Sequence, residues 1–294
     1  MVVIGIDAGG TEIKAGLIRG SKIIESQRFP TQREAGAYHA QEQVLQAVET
    51  MHKNFPQAQA VGLVVPGVVD ADAQIARYSE NIGWKDVHFG KMIHDITGLP
   101  VGFGHDVRAG GIAESLYGAS KGHANSLFMP IGTGIAGAMI IDGKLVDDPY
   151  AGEIGHLNVA SAYGCNCGAH GCLETVATGP SIARIYNERS GQQFSGAQEV
   201  LKAAKGGDHI AQEVWADATR AIGTALMAYI NILNPGLIVL GGGLSRAGDD
   251  LVNPVSSYID SHLTFQPRPK ICVAELGDSA GMIGAGILAA KAIA

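Results

Sequence analysis

Three of the four cysteines, Cys165, Cys167 and Cys172, fall within eight positions, and His156 lies nine residues before the first of them. Thiolate sulfurs and an imidazole at close loop spacing are the ligand set of a four-coordinate Zn²⁺. His170, inside the loop, is a rival for the fourth position. A Cys-x-Cys pair makes poor disulfide geometry, which favours metal over a bridge. With four protein ligands no coordination position stays open, so the ion would fix the loop and would not activate water. Glu153 comes three residues before His156, and Glu174 two after Cys172. An imidazole that holds metal through one nitrogen can aim its other N–H at a partner. Both carboxylates are placed to share that partner.

A second kind of chemistry is written in the glycines. Asp7-Ala8-Gly9-Gly10-Thr11 follows an apolar run, residues 2–7, that reads as a buried strand. Glycines let the backbone approach phosphate oxygens, where exposed N–H groups donate. Asp7 suits Mg²⁺ held through water, and Lys14 is grouped with this loop. Gly132-Thr133-Gly134 ends another apolar run, 126–131, in the same way. A lone loop of this kind is an ordinary turn. Two in matching places suit a β,γ-phosphate pair. Gly241, Gly242 and Gly243 close a third run, 237–240, and Gly242 and Gly243 would let a flat base approach the backbone. No Gly-x-x-x-x-Gly-Lys-Ser/Thr string occurs, so this is not a Walker loop.

Asp106 ends the apolar strand 101–104 and begins the helical stretch 107–117. Strand ends are where α/β proteins place working residues. A carboxylate there can take the proton of an alcohol attacking phosphorus. The plainer alternative is a helix N-cap, which Asp serves well. His105 would orient a hydroxyl or pack against the strand.

The elements around these residues alternate. Strands are expected at 12–18, 22–29 and 60–65, with a helix at 38–52 and a shorter one at 91–97. The second half offers a return strand at 136–141, helices at 173–189, 197–204, 210–232 and 251–262, a strand at 271–276 and an alanine-rich C-terminal helix. Strand, Gly/Thr loop, strand, glycine turn and lysine recur in both halves, the signature of an internal duplication. Two lobes with a cleft between them follow: residues 1–117 with 281–294, and 118–280 with the zinc loop. The 41 glycines are expected in discrete loops.

Composition narrows the function. A formal charge of −7 offers no basic face for nucleic acid or anionic lipid. The longest uncharged stretch, 221–244, is broken by Asn231, Asn234-Pro235-Gly236 and three glycines, so it reads as a buried helix and a core strand, not a membrane span. No signal peptide is visible, and a cytoplasmic protein is expected. Cysteines there serve metal or stay as thiols. Cys272, in an apolar strand, is given no role.

Taken together these residues resemble the ROK family (repressor, open reading frame, kinase), mainly bacterial sugar kinases and related repressors. The resemblance rests on Asp7-x-Gly9-Gly10-Thr11, Pro66-Gly67, Asp106, Gly132-Thr133-Gly134, and Gly155-His156 followed by Cys165-x-Cys167-Gly168-x-x-Gly171-Cys172-Leu173-Glu174. It runs over nearly the whole chain. It implies an α/β, actin-like (ribonuclease H-like) two-lobed ATPase fold with a duplicated core. It also implies ATP- and Mg²⁺-dependent phosphorylation of a hexose 6-hydroxyl. Glucose is the first expectation, N-acetylmannosamine or N-acetylglucosamine the next, with fructose and allose open.

By position, the resemblance makes Asp106 the catalytic base, Glu153, His156 and Glu174 sugar-binding side chains, and Gly67 a backbone sugar contact. It makes His156, Cys165, Cys167 and Cys172 the zinc set. Where the family commonly has Asn, this chain has His105, which puts the sugar in question more than the reaction. Family repressors carry an added helix-turn-helix. A first strand beginning at residue 2 and a negative charge speak against DNA binding, and the intact Asp106 and Gly/Thr loops speak against a sensor without catalysis. The partners expected are a sugar, a nucleotide and, from the apolar surplus, a second copy in a homodimer.

Overall fold

Every apolar run that ends in glycine becomes the middle of a sheet. The computed structural model describes residues 1–294 and divides them into two units. The first comprises Met1–Gly118, Asp147–Tyr150 and Asp278–Ala294. It contains β1 (Val3–Ala8), β2 (Glu12–Arg19), β3 (Lys22–Pro30), α1 (Ala37–Asn54) and β4 (Val61–Val65). Then come β5 (Val68–Asp70), β6 (Ile75–Ser79), β7 (Trp84–Val87), α2 (Phe89–Thr97), β8 (Val101–His105) and α3 (Asp106–Tyr117). The main sheet runs β3-β2-β1-β4-β8, with β1 antiparallel to β2 and parallel to β4, and β4 parallel to β8.

The second unit, Ala119–Val146 with Ala151–Gly277, repeats that plan. Its strands are β9 (Ser126–Pro130), β10 (Ala138–Ile141), β11 (Lys144–Leu145), β12 (Leu237–Gly241) and β13 (Lys270–Val273). They run β11-β10-β9-β12-β13, with two antiparallel pairs followed by two parallel ones, as in the first sheet. The duplication read from two hairpins therefore extends to the whole five-stranded core. Its helices are α4 (Glu174–Ala177), α5 (Gly179–Ser190), α6 (Ala197–Lys205), α7 (His209–Leu233) and α8 (Asp249–His262). The C-terminal helix, α9 (Ala280–Lys291), belongs to the first unit. The stretch 221–244 is the end of α7, a left-handed Asn234 and β12. No helix is long and apolar enough to cross a membrane.

Two expectations need correction, and one small sheet had not been expected. The helix expected over 173–189 is two helices. Thr178 caps the second by accepting from the Ser181 N–H, and Pro180 sits in its first turn, so the chain must restart there. The three-stranded sheet β5-β6-β7 carries no strand signal strong enough to read. The glycines are also not confined to loops. Gly16, Gly5, Gly62 and Gly102 lie side by side across β2, β1, β4 and β8.

That row is where α9 sits. A Cβ on Gly5 would come 2.5 Å from the Met282 carbonyl oxygen, one on Gly62 1.8 Å from that of Ala285, and one on Gly102 2.3 Å from that of Leu288. The same helix meets α3, where a Cβ on Gly284 would lie 2.3 Å from the Ala109 carbonyl oxygen. Gly62→Ala should therefore push α9 off the sheet. Overpacking of this kind costs about 1–3 kcal/mol. We expect a melting temperature several degrees lower by calorimetry, and an unchanged one would mean that α9 is not held by close approach.

Candidate active site

In the first unit, β1 delivers Asp7 to the turn Gly9-Gly10-Thr11. That turn is closed by the Gly9 N–H on the Glu12 carbonyl (3.0 Å) and by Thr31, whose hydroxyl donates to the Gly9 carbonyl (2.7 Å). Lys14, next in line on β2, places its Nζ 3.9 Å from Asp7 Oδ2 and donates to the Asp278 carbonyl at 3.1 Å. The start of α9 closes the other side, where a Cβ on Gly281 would lie 2.5 Å from Asp7 Oδ2. Burial, followed by the charge of Asp106, pushes the Asp7 carboxyl up to about 7, against the pull of Lys14. Asp7 and Asp106 are thus close enough to repel each other, and a cation between them would relieve both.

Asp106 is the first residue of α3, and its Oδ1 accepts from the Val107 N–H at 2.7 Å. The cap itself is His105, whose Nδ1 accepts from the N–H groups of Val107 and Arg108 at 3.2 and 3.4 Å. An Nδ1 that accepts carries no proton, so the ring is neutral with its proton on Nε2. The 3.3 Å between that Nδ1 and Asp106 Oδ1 is then a neighbourly distance, not an ion pair. Gly67 has φ of 99°, and a Cβ there would lie 2.2 Å from the Tyr78 carbonyl oxygen, so only glycine fits.

In the second unit the thiol loop closes as expected. One ligand atom each from His156, Cys165, Cys167 and Cys172 lies within 4.8 Å of all the others, and His170 is outside this group. Cys167 Sγ is 3.7 Å from Cys172 Sγ, and Cys165 Sγ is 3.8 Å from His156 Nδ1. Sulfurs bound to one tetrahedral zinc at about 2.3 Å are about 3.8 Å apart, so the spacing fits that ion. All four cysteines are free thiols. Burial and then the neighbouring thiols push Cys172 up to about 12, an environment that requires a cation before the thiolate forms. His156 turns its other nitrogen outward, with Nε2 3.9 Å from Glu153 Oε2. That is too long for a hydrogen bond and leaves room for a shared partner.

Glu174 does more than the sequence indicated. One carboxylate oxygen accepts from the Ile135 N–H at 2.6 Å, just past Gly132-Thr133-Gly134. A Cβ on Gly134 or Gly155 would crowd the same oxygen, at 2.8 and 2.9 Å. Glu174 therefore ties the Gly/Thr loop to the thiol loop. The third glycine run joins them, since the Leu244 N–H donates to the Ile131 carbonyl at 3.0 Å and Gly242 packs on Ile131. Gly132, Thr133 and Gly243 line one cavity of about 760 Å³, with Lys202, Trp215 and Arg246 on its walls. Those last three were not anticipated, because on helical or loop segments they read as ordinary surface and core. Tyr229 was missed too. It is pushed up to about 12 by burial and then by the charge of nearby Glu153.

The ROK family model matches residues 3–292. This chain belongs to the ROK family. A glucokinase of Halalkalibacterium halodurans is 32% identical over 97% of this chain and 94% of its own length. A ROK hexokinase structure from Thermus thermophilus is 30% identical with a TM-score of 0.84, covering 100% of this chain and 99% of that one. A ROK glucokinase from Streptomyces griseus, crystallised with glucose and AMPPNP, is 26% identical with a TM-score of 0.87, over 99% of this chain and 100% of that one. The two units are thus the lobes of the actin-like fold found in ROK sugar kinases.

Two measurements probe these sites. Cys167→Ser should lose the bound metal and lower the melting temperature, with zinc content read by atomic absorption. A full metal load in the variant would remove Cys167 from the ligand set. For Asp7, the folded carboxyl titrates near 7 and the free one near 3.8, so ionisation is disfavoured in the folded protein. The contribution of Asp7 to stability should fall as pH rises from about 4 to about 7 and then level off. Asp7→Asn removes that loss. It should be the more stable by on the order of 2–4 kcal/mol at pH 8 without added cation, with the gap closing towards pH 4. A gap independent of pH would mean that Asp7 carries no such strain.

Proposed function

We propose that this ROK chain is an ATP-dependent hexose kinase acting on the 6-hydroxyl of its sugar, with glucose the first candidate. The observation that carries the reading is Asp106: a half-buried carboxylate at the first turn of α3, whose charge acts on Asp7 beside the Gly-Gly-Thr turn. Its Oδ1 is engaged by the Val107 N–H, which fixes the side chain and leaves the other oxygen to receive a proton. Phosphoryl transfer asks the protein for positioning and charge stabilisation more than for covalent chemistry. In this reading Asp106 takes the hydroxyl proton as the sugar oxygen attacks the γ-phosphoryl group.

Gly9, Gly10 and Thr11 would meet the phosphates with backbone N–H groups, as would Gly132, Thr133 and Gly134, with Lys14 adding charge. The cavity lined by Gly132, Gly243 and Trp215 suits the base and ribose in size and in its apolar wall. Asp7 would hold Mg²⁺ through water, and the ion would neutralise charge on the phosphates. His156 would keep its Nδ1 on zinc and turn Nε2–H to a sugar hydroxyl, sharing it with Glu153, and Glu174 would offer its second oxygen. Gly67 would contact the sugar through its backbone, and His105 would flank the sugar beside Asp106. A cytoplasmic setting supplies the ATP. Exposed Ile232 and Phe265, at 78% and 87% accessibility, support a homodimer.

His105 gives a second reading its footing. Where the family commonly has Asn, this chain has a bulkier imidazole, and a changed side chain next to Asp106 leaves an acetamido sugar such as N-acetylmannosamine or N-acetylglucosamine in contention. An ADP-release assay across these sugars, glucose, fructose and allose decides between the two. Asp106→Asn keeps the oxygen that accepts from Val107, so it should bind sugar normally while turnover falls about 10²–10⁴-fold. Turnover near wild type in that variant would sink the assignment of the base.

A further inference from the structure

Arg108 is one of the few buried charged side chains, 5% exposed, and it stands two residues after Asp106 on α3. Its Nε lies 3.3 Å from Asp147 Oδ1, and its Nη1 donates to the Asp148 carbonyl at 3.1 Å. Asp147–Tyr150 is the short excursion by which the chain joins the first unit between two stretches of the second. Both flanks of that excursion are fastened. The Val146 N–H donates to the Met139 carbonyl at 2.9 Å on one side. On the other, the Gly137 N–H donates to the Gly152 carbonyl at 2.7 Å, and Gly152, with φ of 89°, packs so closely on Gly137 that a Cβ would lie 1.9 Å from its oxygen. Within the excursion the Asp148 carboxylate accepts from the Tyr150 N–H at 2.9 Å, which folds it into a tight turn. Glu153 follows Gly152 directly, and His156 comes one helical turn later.

The dependence in this contact is one-sided. Asp147 is 65% exposed and water can satisfy it, whereas the buried guanidinium has donors that need protein acceptors. The helix that begins at Asp106 therefore holds the excursion in place as a condition of its own folding.

We propose that Arg108 is a positioning residue for the sugar subsite: by gripping Asp147 and the Asp148 carbonyl it fixes the start of the segment that presents Glu153 and His156. The inference rests on the sugar-kinase reading for its effect on substrate, but the tether itself can be tested without it. Arg108 touches no reacting atom, and its removal leaves no buried charge unpaired, because Asp147 faces water.

Arg108→Met should raise the amide exchange rate over residues 149–156 at least tenfold, with the exchange of α3 and the zinc content unchanged. The KM for the sugar should rise about tenfold, while kcat and the KM for ATP stay within about twofold. Asp147→Ala, which removes one acceptor of Arg108 and leaves the Asp148 carbonyl, should show part of the same effect at some cost in stability, and the double variant should be no worse than Arg108→Met alone. Unchanged exchange over 149–156 in both single variants overturns the tether whatever the activity. Faster exchange with an unchanged sugar KM overturns the positioning role. A wild-type protein that phosphorylates no hexose refutes the kinase reading instead, and the exchange data still judge the tether.

Discussion

The seat of α9 on a row of glycines is the contact on which the first unit depends. Four strands give up their side chains at Gly16, Gly5, Gly62 and Gly102, so that a helix of mostly small residues can lie against the backbone of the sheet. That approach has a chemical consequence at two points along the helix. Its first turn comes up against Asp7 at Gly281, and its middle meets α3, the helix of Asp106, at Gly284. Two acids from strands far apart in sequence are thereby set in each other's field inside a protein wall. The strain appears in Asp7, whose carboxyl is lifted to about 7. A positive charge brought near Asp7 would relieve that strain.

The second unit solves a different problem. Between Asn158 and His170 no residue is buried, so that stretch has no core of its own to hold it. Backbone pairing of Asn158 with Cys172 and of Gly164 with His170 gives it a ladder, and the Arg184 guanidinium lies 4.3 Å over the Tyr163 ring. Such contacts are each worth little in water. Four ligands converging on one ion are worth far more. A metal held by this cluster would stand in for the missing core, and His156 would be the residue through which that rigidity reaches the outside. Glu174 carries it in the other direction, to the Gly132-Thr133-Gly134 loop, through the Ile135 N–H.

Much of this was legible in the sequence, for physical reasons. Apolar runs ending in glycine mark central strands because both faces of such strands are covered. The Cys and His spacing marks a metal because few other things need three thiols in eight positions. What the sequence hides is proximity between distant segments. Nothing local says that the glycines of β1, β4 and β8 align, because alignment is a property of the register. Nothing local says that Thr178 interrupts an amphipathic stretch when its apolar period carries straight through. The small sheet β5-β6-β7 is short and partly exposed, so its residues have no strong period to show. The double duty of Glu174 was likewise invisible, since a carboxylate beside a ligand gives no sign of which backbone N–H it will find.

His105 shows how a departure from a family pattern can keep the chemistry and alter the fit. An asparagine at that place could accept from the helix N-terminus with its oxygen and offer its amide N–H groups outward. Histidine divides its labour in the same way. Nδ1 accepts from Val107 and Arg108, and the proton is thereby fixed on Nε2. Both residues therefore give α3 a cap and keep a donor, and Asp106 keeps its place at the first turn. The difference is reach and number: a rigid ring with one donor at its far edge replaces a short amide with two. A carboxylate held by the helix backbone is insensitive to that exchange. The residue before Asp106 can thus vary while Asp106 stays fixed, because the helix positions the two through different atoms.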